Sequence, residues 1–136
     1  MLPVVLRCLI IDDNHRFLNA ARALLERQGI TVVGVASSVA EALQRAEELR
    51  PDVMLVDINL GDQSGFDLVR RLHDTASLAP VRTVLISTQA EADYADLIAA
   101  SPASAFLPKT ILSAHAIRDV LGLSGDDDGP VDRAAP

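Results

Sequence analysis

The sequence predicts an α/β fold in which a five-stranded parallel sheet is flanked by helices. Along the chain, short apolar runs alternate five times with segments of helical periodicity. Glycine, proline and small polar residues separate these segments, as is typical of the loops between strands and helices. The 136 residues, of which 49% are hydrophobic, are enough for one core and leave no room for a second domain.

Five apolar runs are the strand candidates, and the third is the most distinctive. It is introduced by Pro51-Asp52, is rich in β-branched residues and ends abruptly at a single carboxylate, Asp57. A continuous apolar run of this kind is typical of a strand that is buried on both faces. We expect the strands, in chain order, at Val4–Ile11, Ile30–Ala36, Val53–Val56, Arg82–Ile86 and Ala105–Leu107.

Capping residues and apolar periodicity locate the helices between these strands. Asp13 or Asn14 is suited to cap the first helix, and Ser38-Val39-Ala40-Glu41 has the capping-box pattern. The fourth helical segment has only a weak apolar pattern. We expect a loop at Gly61–Gly65 and helices at His15–Gln28, from Ser38 to about Leu49, at Phe66–His73, at Glu91–Ala100 and from Ser113 to about Leu121.

One domain, residues 1–123, is expected to contain all of these elements. Residues 124–136 include three successive aspartates from Asp126 and are expected to form a disordered acidic tail. The net charge of −7 argues against direct nucleic-acid binding, which needs a basic surface. A single cysteine, Cys8, and the lack of a credible signal peptide or membrane span favour a cytoplasmic protein without a membrane partner.

Chemically useful side chains follow four of the five predicted strands. They are Asp12 and Asp13 after the first strand, Asp57 after the third, Ser87 after the fourth and Lys109 after the fifth. In parallel sheets, ligands bind at the edge formed by the carboxyl ends of the strands. Carboxylates brought together there repel one another unless a cation is present, and oxygen ligands alone favour Mg²⁺. With an ammonium and a hydroxyl nearby, such a site suits phosphoryl transfer to one aspartate.

Each of these residues also has a plain structural interpretation. Taken alone, Asp13 or Asn14 is a helix cap. Lys109 is an ordinary surface residue, and Ser87 with Thr88 is a loop or cap pair. These interpretations do not explain why all of the polar side chains occur at strand ends.

Four motifs in the same order resemble the receiver domain of response regulators in two-component signalling. The resemblance extends over about residues 4–121 and implies a flavodoxin-like sheet with strand order 2-1-3-4-5. The motifs are Leu9-Ile10-Ile11-Asp12-Asp13, Asp52-Val53-Met54-Leu55-Val56-Asp57 with Asn59, Val84-Leu85-Ile86-Ser87, and Phe106-Leu107-Pro108-Lys109.

The resemblance also implies roles for the polar residues. Asp57 is the phospho-acceptor, and Lys109 pairs with the phosphoryl group. Mg²⁺ is held by Asp12, Asp13 and Asp57, with the backbone carbonyl of Asn59 as a further ligand.

Signal output is implied to depend on a switch formed by Ser87 and Phe106. Ser87 turns toward the phosphoryl group, and the aromatic ring then turns inward; Thr88 is the less favoured candidate for the hydroxyl. Three positions depart from the commonest family pattern. Thr88 follows the switch residue, where a small residue is usual. Thr110 follows the lysine, where proline is frequent, and Gly61 stands where many members have proline.

The resulting interpretation is a single-domain response regulator rather than an enzyme. Its phosphoryl donor is a histidine kinase or a phosphotransfer protein, and its output is contact with a protein effector. A homodimer through helix 4, strand 5 and helix 5 is a further possibility.

Two alternative functions remain open on the sequence alone. One is a small phosphohydrolase with an aspartyl nucleophile, in which Asn59 stands where a general acid is needed; the other is a pseudo-receiver that is never phosphorylated and serves only for binding.

Overall fold

A five-stranded parallel sheet forms the centre of the protein in a computed structural model that describes residues 5–123. The strands are β1 (Arg7–Ile11), β2 (Thr31–Ala36), β3 (Val53–Asp57), β4 (Arg82–Ser87) and β5 (Ala105–Pro108). Each neighbouring pair of strands is parallel, and the order is β2-β1-β3-β4-β5. The predicted fold class and strand order are therefore confirmed.

Helices connect these strands and cover both faces of the sheet. They are α1 (His15–Arg27), α2 (Val39–Leu49), α3 (Gly65–Asp74), α4 (Ala95–Ala100) and α5 (Ala114–Val120). Two 3₁₀ turns, Glu91–Tyr94 and Lys109–Ile111, precede the last two helices. Within residues 5–123, no helix combines the length and the apolar character that crossing a bilayer requires.

The sheet separates two apolar layers, because successive strand residues point to opposite faces. On one face, Leu18 and Leu25 of α1 and Ile117 of α5 pack against strand residues such as Ile10 and Leu55. The other layer is formed with α2 and α3, from residues that include Ala42, Ala46, Leu68, Leu72, Leu9, Ile11, Met54 and Val56. All five residues of β3 are buried, as expected of a central strand covered on both faces.

Side-chain caps fix where four of the five helices begin, and α4 is the exception. The Asn14 side chain accepts a hydrogen bond from the N–H of Phe17, which identifies Asn14 rather than Asp13 as the cap of α1. Ser38 caps α2 through the N–H of Glu41. The Glu41 carboxylate accepts from the N–H of Ser37 and not from that of Ser38, so the predicted capping box is shifted by one residue.

The start of the first strand differs from the prediction. The first strand begins at Arg7 rather than Val4, because its pairing with β2 starts at Arg7 and Thr31 and Val5 is 57% exposed. Val4 and the predicted tail, residues 124–136, lie outside the described part of the chain.

Two connections also differ from the prediction. The expected loop at 61–65 contains part of a small antiparallel ladder, in which Asn59–Leu60 pairs with Gln63–Ser64. The expected helix at 91–100 is divided into a 3₁₀ turn and a six-residue α-helix. No residue of this 91–100 segment is fully buried, so little packing is present to support one regular helix.

Candidate functional site

Asp57 is the last residue of β3, where it is held between β1 and β4. It pairs with Ile86 of β4 and is only 6% exposed. Its Oδ1 accepts a hydrogen bond of 3.2 Å from the backbone N–H of Asn59. A carboxylate in this position needs compensating charge, because burial removes most of its hydration.

Lys109 supplies positive charge to Asp57 and to a second buried carboxylate, Asp12. Its Nζ lies 2.5 Å from Oδ2 of Asp12 and 3.3 Å from Oδ2 of Asp57. Asp12 is fully buried, and its Oδ2 forms no well-aligned hydrogen bond, so the ammonium is its compensating group. The sequence-based expectation that strand ends 1, 3 and 5 bring these side chains together agrees with this geometry.

The Phe17 ring also faces the ammonium, with its centroid 4.3 Å from Lys109 Nζ. Phe17 belongs to the apolar face of α1 and packs against the core. A cation over an aromatic face at this distance is attracted by the ring quadrupole. The sequence does not reveal this contact, because nothing in a helical apolar pattern distinguishes one core aromatic from another.

Asp12, Asp13 and Asp57 form an acidic cluster. Each offers one carboxylate oxygen, and the three oxygens lie within 4.8 Å of one another. Asp13 is exposed, whereas the other two are buried. The cluster contains oxygen donors only, which is the ligand chemistry of a hard divalent cation such as Mg²⁺.

The backbone around the cluster is closely packed at Gly65. Its N–H donates to the carbonyl of Ile58 at 2.8 Å. A Cβ at this position would lie 2.1 Å from the carbonyl oxygen of Asp57. Only glycine therefore allows α3 to begin this close to the end of β3. The sequence pattern places Gly65 at the end of a loop and does not reveal this constraint.

The pKa of Asp57 is raised from its usual 3.8 to about 6. Burial is the main cause, and the negative charge of Asp12 adds to it. Lys109 and the N–H of Asn59 act in the opposite direction by favouring the ionised form.

The raised pKa predicts that stability depends on pH in a way that is specific to Asp57. A carboxyl whose folded-state pKa exceeds its unfolded value stabilises the fold below about pH 4 and loses that contribution as the pH rises through about 6. In magnesium-free buffer, the free energy of unfolding of wild type, relative to Asp57→Asn, is expected to fall by about 2 kcal/mol between about pH 4 and pH 7. Urea unfolding of both proteins at several pH values measures this difference. A difference that does not change with pH would contradict the expectation.

The two predicted switch residues lie in the interior. Ser87 is fully buried, and its Oγ accepts a hydrogen bond of 3.0 Å from the N–H of Gln89. Thr88 is exposed. Phe106 is 8% exposed and already packs in the core layer formed with α2 and α3, so the inward position is available to its ring.

Comparison with known proteins agrees with this fold. The sequence model of one family, the response regulator receiver domain, matches residues 8–121. The polar-differentiation response regulator DivK of Brucella anthropi is 27% identical over 118 residues, which cover 87% of this chain and 95% of DivK. The chemotaxis protein CheY4 of Vibrio cholerae shares the fold with a TM-score of 0.76 at 20% identity, covering 88% of this chain and 99% of CheY4.

Some relatives are much longer than this chain. A protein-glutamate methylesterase/protein-glutamine glutaminase of Alkalilimnicola ehrlichii is 37% identical over 67 residues, which cover 48% of this chain and 17% of that protein. The chain spans about half or less of the length of several curated relatives that it matches.

Proposed function

This chain belongs to the response regulator receiver domain family, and on that premise we propose that it accepts a phosphoryl group on Asp57 and signals to a protein partner by changing conformation. The observation that carries this proposal is the contact of Lys109 Nζ with Asp12 and Asp57 beside the exposed Asp13. One carboxylate at a strand end is thus accompanied by an ammonium and by further oxygen ligands. Such an arrangement suits phosphoryl transfer, which depends mainly on positioning and on charge stabilisation.

The proposed step transfers the phosphoryl group from a phosphohistidine of a histidine kinase or a phosphotransfer protein. A carboxylate oxygen of Asp57 attacks the phosphorus, and a P–O bond forms as the P–N bond breaks. The electron pair of the broken bond goes to the imidazole nitrogen of the donor, which then takes up a proton. Lys109 lies within 3.3 Å of Asp57, so its ammonium compensates negative charge on the transferred group.

Mg²⁺ is the cofactor that fits the donor set. Asp12, Asp13 and Asp57 would hold it, together with the backbone carbonyl of Asn59. When bound, it supplies positive charge next to the phosphoryl oxygens. Asp13, as the exposed member, leaves one side of the cluster open to solvent.

Signal output is proposed to follow from a change at Ser87. Its hydroxyl leaves the N–H of Gln89 and donates to a phosphoryl oxygen. The Phe106 ring then turns inward to fill the space that Ser87 leaves. The surface formed by α4, β5 and α5 then contacts an effector or a second copy of the chain. Leu97 on α4 and Ile111 before α5 are 55% and 56% exposed, which supports this choice of surface. A cytoplasmic regulator, similar in role to the response regulator DivK, is the form that we propose.

Magnesium-dependent uptake of one phosphoryl group from acetyl phosphate tests this proposal. Wild type is expected to gain the mass of one phosphoryl group in Mg²⁺ and no mass when Mg²⁺ is chelated.

Mg²⁺ binding is expected to weaken when either member of the acidic pair is replaced, because each replacement removes a charged ligand. The expected loss of affinity is at least tenfold in Asp13→Ala and larger in Asp12→Ala. Intact-mass spectrometry measures the phosphoryl uptake. The rise of thermal stability with added Mg²⁺ measures the Mg²⁺ affinity of each protein. Equal Mg²⁺ affinity in wild type and both variants would remove the acidic pair from the site.

A further inference from the structure

Tyr94 connects Asn59, two residues after Asp57, to the segment before α4. It is the last residue of the Glu91–Tyr94 turn and is half-buried. Its hydroxyl accepts a hydrogen bond of 3.3 Å from the side-chain amide of Asn59. Its ring is tilted against that of Phe66, at the start of α3, with 6.2 Å between the ring centroids. Three separate segments of the chain therefore meet at this tyrosine.

Asn59 links Tyr94 directly to Asp57. The backbone N–H of Asn59 donates to Asp57 Oδ1 at 3.2 Å, while its side-chain amide donates to Tyr94. Two hydrogen bonds through Asn59 therefore connect the Asp57 carboxylate to the turn at 91–94. None of the residues of this turn or of α4 is fully buried, so little packing opposes its displacement.

We propose that Tyr94 is a positioning residue that holds the Asn59 amide and the 91–94 turn across the entrance to Asp57, and that phosphorylation of Asp57 releases it. The proposal rests on the phosphoryl-acceptor function of Asp57. A phosphoryl group places charged acceptor oxygens two residues from Asn59. An amide donates a stronger hydrogen bond to a charged oxygen than to a neutral phenol. The Asn59 amide therefore breaks its hydrogen bond to the Tyr94 hydroxyl and donates to a phosphoryl oxygen instead. The released turn then changes the surface that precedes and includes α4.

The sequence provides a direct spectroscopic readout of this exchange. Tyr94 is the only tyrosine of the chain, and the chain has no tryptophan. Tyrosine fluorescence therefore reports on the environment of this one side chain. Loss of the hydrogen bond and of the Phe66 contact changes that environment, whereas a tyrosine that is unconnected to the site gives a constant signal.

The test compares wild type, Tyr94→Phe, Asn59→Ala and the double variant. Tyr94→Phe removes the hydroxyl and keeps the ring against Phe66. Initial rates of phosphoryl uptake from acetyl phosphate in Mg²⁺ are measured by intact mass for all four proteins. Tyrosine fluorescence is recorded before and after uptake for wild type and Asn59→Ala, which retain the tyrosine. Asp93→Asn, an exposed neighbour in the same turn, is the matched control and is expected to retain the wild-type rate in moderate salt.

Tyr94→Phe is expected to take up the phosphoryl group about two to ten times faster than wild type, which is the range that one neutral hydrogen bond supports. In the Asn59→Ala background the same substitution is expected to have no further effect. Wild-type fluorescence is expected to change on phosphorylation, and that of Asn59→Ala is expected to change much less.

The outcomes separate this proposal from the function on which it rests. Absence of phosphoryl uptake by wild type would overturn both. Normal uptake with a constant tyrosine signal, or with equal rates in wild type and Tyr94→Phe, would overturn the role of Tyr94 alone. An effect of Tyr94→Phe that persists unchanged in Asn59→Ala would show that the hydroxyl does not act through Asn59.

Discussion

Asp57→Asn is expected to take up no phosphoryl group from acetyl phosphate under conditions in which wild type takes up one. The substitution keeps the shape of the side chain and an oxygen for the N–H of Asn59. It replaces the anionic nucleophile by a neutral amide, so no acyl phosphate forms. Intact-mass spectrometry in the presence of Mg²⁺ measures the result directly.

Asp52→Asn is the matched control for this experiment. Asp52 precedes β3 at the opposite end of the strand from Asp57, is exposed, and accepts a hydrogen bond from the N–H of Arg7 that asparagine can also accept. This variant is expected to be phosphorylated as wild type is. Equal uptake by wild type and Asp57→Asn would show that another residue is the acceptor.

The loss of uptake in Asp57→Asn is expected without a loss of fold. Asp57 and Asp12 repel one another across a buried site, and this repulsion raises the pKa of Asp57. Replacing one of the two carboxylates removes that repulsion, while Lys109 keeps its contact with Asp12. The variant is therefore expected to be at least as stable as wild type at neutral pH, so circular dichroism distinguishes a missing nucleophile from an unfolded protein.

The fold, and the meeting of Asp12, Asp57 and Lys109 at one edge of the sheet, follow from local sequence patterns. Each apolar run forms a strand within one to three residues of the expected limits. Once the strands are parallel, their carboxyl ends must share one edge. Asp12, Asp57 and Lys109 meet there for this reason, although the four motifs were needed to suggest their roles and the order of the strands.

The remaining features depend on distances that no local pattern encodes. Phe17 looks like any other apolar residue of α1, yet its ring faces the Lys109 ammonium. Tyr94 lies 35 residues from Asn59 in sequence, and only the packed structure brings its hydroxyl to that amide. The expected helix at 91–100 is a 3₁₀ turn followed by a short α-helix in the structure. Its composition favours a helix, but no residue of the segment is fully buried, so packing does not support a single regular helix.

Gly65→Ala is expected to destabilise the fold more than any of the substitutions at the aspartates, Asn59 or Tyr94. The added Cβ would lie 2.1 Å from the carbonyl oxygen of Asp57 and 3.0 Å from Cα of Ile58, both of which are backbone atoms. No rotamer change relieves such an overlap, so α3 must move away from β3 or the end of β3 must shift. Either change disrupts the N–H contact of Gly65 with Ile58 and displaces the Asp57 carboxylate. We expect a loss of more than about 3 kcal/mol in the free energy of unfolding.

Gly29→Ala separates this steric effect from the ordinary cost of replacing a glycine. Gly29 has φ +93°, and a Cβ there would meet no atom within 4 Å. Its replacement brings only the strain of a left-handed backbone, about 1 to 2 kcal/mol. Urea unfolding of both variants, with circular dichroism to establish whether Gly65→Ala folds at all, measures the contrast. Since the overlap at Gly65 involves the backbone of Asp57 itself, a Gly65→Ala protein as stable as Gly29→Ala would mean that α3 begins farther from β3 in solution, and that the acidic site is more open on that side.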